Sequence, residues 1–154
     1  MEWINAAISP LKDLVSYLAK KSNTNDVLKR QLIRELRNNL IVFENAFTNN
    51  VQADIIIDNL SNEAIRQAIA ANFNFHKLRP GKIEEDNIHD ERNKKYKGWT
   101  SEKLVDKVDE KIEELKTIKR LNNGTVLQVK NNISLMLGNL YFRMKLLADF
   151  IKAE

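Results

Sequence analysis

Residues 125–152, TVLQVKNNISLMLGNLYFRMKLLADFIK, decide the fold. Placed on a helical wheel at about 100° per residue, Val126, Val129, Ile133, Met136, Leu137, Leu140, Met144, Leu147 and Ile151 fall on one broad stripe. Such a stripe marks a helix that faces a core. Leu135, Phe142 and Leu146 fall on the opposite side. A helix that is apolar on both sides must be covered on both, because a large exposed apolar patch is costly. The segment is therefore the middle of a bundle or a seam shared with a second chain. The second alternative makes Leu135, Phe142 and Leu146 a candidate interface.

The preceding segment, 101–121, carries its own stripe of Leu104, Val105, Val108, Ile112 and Leu115, with Ile118 at the edge. Trp99 and Thr100 stand where a hydrophobic staple and an N-cap belong, with Leu104 as the staple's other half. Glu102, Asp106, Asp109, Glu110 and Glu113 form an acidic band beside Lys103, Lys107 and Lys111, the pattern of a solvated helix surface. Asn122-Asn123-Gly124 ends this helix with a glycine available for a left-handed turn. Thr125 and Gln128 then fit a T-x-x-Q capping box. A link that short makes the last two helices antiparallel neighbours.

Residues 2–21 read as an amphipathic helix. Trp3, Ile4, Ala7, Ile8, Leu11, Leu14, Val15 and Leu18 share a face, and the stripe keeps its phase across Pro10. A kinked helix, or two nearly collinear pieces, is expected. Asp26 is placed to cap the next helix, 27–48, where Leu28, Leu32, Leu36, Leu40, Phe43 and Phe47 line one side. Asn39 projects toward the edge of that stripe, where it needs a hydrogen-bond partner. Outward, Arg30, Arg34 and Arg37 form a row. Residues 52–60 and 62–72 read as two short helices, because the apolar phase slips at Ser61, a candidate N-cap.

Residues 72–99 are the least regular part. Phe73 and Phe75 lie two apart, Arg79-Pro80-Gly81 breaks any helix, and an acidic run from Glu84 to Glu91 turns abruptly basic at Arg92. A long charged connector in a small domain is often functional or mobile. Lys94, Lys95, Tyr96, Lys97 and Trp99 mix cations with aromatic rings, a combination able to stack bases and neutralise phosphate. With Arg30, Arg34 and Arg37 they are the candidate anion or nucleic-acid contacts. The bland alternative is a solvated arginine face and a staple tryptophan, and the acidic run would repel a polyanion.

The totals narrow the classes further. The 154 residues suit one domain with a real core, and four glycines leave little material for hairpins. There is no cysteine, so disulfides and sulfur-ligated zinc are excluded. No apolar run is long enough to span a bilayer, and no signal peptide opens the chain, so a cytoplasmic protein without a membrane partner is expected. The net charge of +4 is spread along the chain and only weakly favours nucleic acid.

Motifs that carry chemistry are scarce. His76 and His89 stand thirteen apart in the irregular region, with no His-x-x-x-His or Glu-x-x-His pair, so no metal spacing exists. The four glycines are scattered, and no phosphate-cradling loop is present, so no cofactor is expected. Compact helical ribonucleases of the HEPN type carry an Arg followed four to six residues later by His. Neither histidine here has such an arginine upstream, and Phe43 stands where a His would follow Arg37. That leaves a degenerate nuclease as a distant third reading.

The expectation is thus an all-α bundle of four principal helices, with a short-helix and irregular insert between the second and third. The leading function is a non-enzymatic protein-interaction module, a homo-oligomer or a subunit or regulator of a larger assembly. Nucleic-acid binding is the alternative.

Overall fold

The computed structural model describes residues 8–153. In chain order they form α1 (Ile8–Lys21), α2 (Val27–Asn49), α3 (Ala53–Asn59), α4 (Glu63–Ala70), α5 (Ser101–Leu121) and α6 (Ile133–Lys152). Three 3-10 turns, Phe75–Lys77, Glu85–Asn87 and Glu91–Tyr96, lie between α4 and α5. The fold is all-α, as the helical periodicities predict. A single antiparallel bridge, Lys82 to Thr100, is the one β feature among the described residues. No helix there is long and apolar enough to cross a membrane. The part of the first predicted helix before Ile8 lies outside the described residues. Pro10 sits within the first turn of α1, where a missing N–H breaks no helical bond.

α6 lies at the centre. It packs on α1, α2 and α5, and the 85–87 and 91–96 turns close over it. From Leu137 to Ile151 nearly every side chain is buried, Tyr141, Phe150 and Ile151 completely. A helix apolar all round belongs inside a bundle, and the two-sided pattern in the sequence has that cause.

Local signals set several ends as expected. The Asp26 carboxylate accepts from the Lys29 amide at 3.1 Å, and the Thr100 hydroxyl accepts from the Lys103 amide at 3.3 Å. Asn50 takes a left-handed conformation after α2, and its N–H donates to the Ala46 carbonyl. Gly124, at φ +78°, lets its N–H turn back to the Lys119 carbonyl at 2.9 Å.

Two starts differ from expectation, each because a distant carboxylate intervenes. The last helix begins at Ile133, not Thr125, and the Thr125–Gln128 box does not form. Thr125 donates its hydroxyl to Asp54 Oδ2 at 2.6 Å, and the Val126 amide donates to Asp54 Oδ1 at 2.8 Å. The connector therefore stays pinned to α3, and Asn132 caps α6 instead, accepting from the Leu135 amide at 3.1 Å. Ser61 likewise is not the N-cap of α4. Its hydroxyl donates to the Glu35 carboxylate at 2.9 Å, and that carboxylate also accepts the Ala64 and Ile65 amides at 2.7 and 3.2 Å.

The acidic band on α5 is not only a solvated surface. Asn62 donates to Asp109 at 2.8 Å and to Glu113 at 3.0 Å, and Arg66 pairs with both. Two of the five acids thereby hold α4 against α5.

Candidate functional site

Position i+4 on α2 places Glu35 and Asn39 one above the other. Both are buried, at 8% and 2% exposure. Asn39 meets the need its position implies: Nδ2 donates to the Ser61 carbonyl at 2.8 Å and Oδ1 accepts the Ser61 amide at 2.9 Å. Burial pushes the Glu35 carboxyl above its ordinary value, and the donors from Ala64, Ser61 and Ile65 offset this in part. Above this pair opens a polar groove of about 430 Å³, with Gln31, Arg34, Asn38, Glu63 and Gln67 on its walls.

Of the arginine row only Arg34 is exposed, at this groove. Arg30 is half-buried and donates from Nη1 to the Thr24 carbonyl at 3.3 Å. Arg37 is half-buried as well, with Nε enclosed and without a hydrogen-bond partner among the described residues. The row does not form one continuous cationic stripe.

The 94–99 segment is an anchor. Tyr96 is 2% exposed, and its ring meets Trp99 edge-on at 4.7 Å. Lys103 Nζ lies 4.6 Å from the centroid of the Trp99 ring. Gly98, at φ +86°, allows the tight return in which its N–H reaches the Ile83 carbonyl, while the Ile83 N–H reaches the Trp99 carbonyl, both at 2.8 Å. Lys94 pairs with Glu91 at 2.9 Å, and this hydrogen bond raises its pKa. Lys97 stands 3.9 Å from Glu85, and Lys95 lies 5.5 Å from the Tyr96 ring centroid. The acidic run thus neutralises part of the basic one, and the two rings pack edge to face against each other.

The candidate interface is divided. Phe142 and Leu146 are buried within the chain, and Leu135 remains 56% exposed. Arg92 lies over the Phe142 ring at 4.6 Å, and Asn93 Nδ2 donates to the Phe142 carbonyl at 3.0 Å. Of the two coverings that the two-sided pattern allows, another part of the same chain lies over Phe142, namely the 91–96 turn. An apolar groove stands elsewhere: Ile41, Val42, Val51, Ile55 and Ile56 enclose about 220 Å³ between α2 and α3.

Sequence reasoning missed Arg143. It sits on the α6 face beneath the 91–96 turn, 6% exposed, and its Nε donates to the Tyr96 hydroxyl. The signal was present: a cation in an apolar helix with Asn139 and Leu147, not an acid, at i±4, whereas Lys145 has Asp149 four residues on. His76 and His89 are both exposed, and among the described residues no three His, Asp or Glu side chains are grouped to hold a metal ion. Comparison with known proteins gives no match, whether to a family model, a curated protein or a solved structure.

Proposed function

We propose that the chain is a non-enzymatic helical interaction module, a subunit or regulator of a larger assembly, that takes an amphipathic helix of a protein partner in the groove between α2 and α3. The observation that carries this reading is the groove's apolar lining, left open between α2 and α3. Ile55, at its rim, is 51% exposed. Asn45 and Asn59 flank it and commit their Nδ2 groups to their own helices, at the Ile41 and Ile55 carbonyls. That leaves their side-chain oxygens as acceptors for donors on an incoming segment. Apolar anchors in the groove would supply affinity, and the polar rim would set register.

The first partner to test is a second copy. Light scattering after size exclusion reads it, with the wild type compared with Ile55→Asp. An assembly that the variant reduces to monomer supports a self-associating module. A monomeric wild type overturns that form, and a partner from the native source retained equally by wild-type and Ile55→Asp baits overturns the groove as the contact.

A further inference from the structure

We propose that the cleft around Arg143 binds a small oxyanion of the phosphate class. Arg143 is buried, and a buried charge is costly unless it is paired. Yet no carboxylate stands within salt-bridge reach of it among the described residues. Its one hydrogen bond there runs from Nε to Tyr96, which leaves both terminal nitrogens of the guanidinium without a partner.

Those nitrogens belong to a side chain that lines two adjoining recesses. The larger, of about 100 Å³, is bounded by Lys111, Glu114, Met136 and Asn139. The smaller shares Asn139 and adds Arg92 and Lys95. Cations therefore surround the cleft on three elements: α5, α6 and the 91–96 turn. The single acid, Glu114, is held by Lys111 at 3.0 Å. The positive charge at the cleft exceeds what Glu114 can balance.

Size and shape narrow the ligand. The larger recess, of about 100 Å³, has room for one anionic group. A guanidinium offers paired N–H groups that match an oxyanion. Lys111 and Asn139 add donors on other walls, so the donor set surrounds a tetrahedral group better than it fits a planar carboxylate. This site is independent of the α2–α3 groove and of any partner there.

Calorimetric titration of the full chain with inorganic phosphate tests the proposal, against chloride at equal ionic strength. Saturable binding to one site is expected. Arg143→Lys keeps the charge but loses the fork, and should abolish it. Lys111→Ala, at the cleft's rim, should weaken binding about tenfold or more, the loss of one charge-assisted hydrogen bond. Should Arg143→Lys fail to fold, Lys111→Ala decides. No saturable heat with the wild type, or unchanged affinity in Lys111→Ala, overturns the site and leaves Arg143 as a strut for Tyr96. Acetate binding as well as phosphate overturns the ligand class.

Discussion

The Glu35 carboxylate on α2 accepts the Ala64 backbone N–H at 2.7 Å, and so caps a helix to which it does not belong. An N-cap normally precedes its own helix and satisfies one of the orphan amides of the first turn. Here the acceptor comes from 29 residues upstream and takes a second amide, that of Ile65, as well. With Asn39 gripping both backbone groups of Ser61, α2 fixes where α4 starts and at what angle it leaves.

Removal of that carboxylate should therefore cost more than a surface cap. Glu35→Ala leaves two enclosed N–H groups unmatched, and about 2–4 kcal/mol of unfolding free energy should be lost, at 1–3 kcal/mol per buried unsatisfied group with partial rescue by water. Urea denaturation measures it. A change within experimental error would mean that α4 is held by its apolar side alone.

The same residue gives the stability a pH dependence of definite sign. Its folded-state pKa is raised by burial above the ordinary value of about 4.3, so the folded chain holds the proton more tightly than the unfolded one. Stability from this group is greatest below the unfolded value and is lost as pH rises through the folded one. Asp54 behaves oppositely. The Thr125 hydroxyl above all, with the Val126 amide and Lys119, holds its pKa below the ordinary value of about 3.9, against a smaller opposing effect of burial. Its contribution is complete above that value and fades as pH falls through the folded pKa. Asp54→Asn should thus be less stable than the wild type at neutral pH, with the gap closing in acid. Amide exchange should report faster opening at Val126 in the variant.

Leu146 and Leu135 separate core from surface on α6. Leu146→Ala should cost about 2–5 kcal/mol, as a truncation in a packed interior does. Leu135→Asp should leave stability within about 0.5 kcal/mol, since the side chain is exposed and an acid in a helix's first turn is favoured. Thermal melts on the two variants, with light scattering on the second, check this. A large loss in Leu135→Asp would mean that its face is covered in solution.

What could be read from residue order and what could not differ by range. Asp26 and Thr100 act three residues away, and the stripes of α2, α5 and α6 repeat every turn, so these elements are legible in a local window. The start of α6 is not. Thr125 looks like a cap until Asp54, 71 residues upstream, claims its hydroxyl. The apolar face of Phe142 and Leu146 correctly demanded a roof. Whether the roof came from a second chain or from residues 91–96 could not be decided, because charged residues dominate that turn and its anchors are only Asn93 and Tyr96. The candidate cations suffer from the same limit. Their number is in the sequence, but the carboxylates that neutralise them are a matter of tertiary placement.

That placement sets a ceiling on nucleic-acid binding through the eight residues the sequence singles out. Tyr96 is buried, Trp99 meets it edge-on, Arg30 is tied to a backbone carbonyl, Arg37 is partly enclosed, and Lys94 and Lys97 face acids. Arg34 and Lys95 are left as exposed cations without an ion pair among the described residues. Two phosphate contacts on a single strand give a slope of log affinity against log salt of about −1.4, at roughly −0.7 per contact. Binding to single-stranded RNA should accordingly be weak at physiological salt and shallow in its salt dependence. The triple variant Arg30→Ala, Arg34→Ala, Arg37→Ala should reduce the slope by about one contact's worth, not three. A steep slope in the wild type, lost in the triple variant, would show that the arginines rearrange to meet a polyanion, and would make nucleic acid the better reading of this chain.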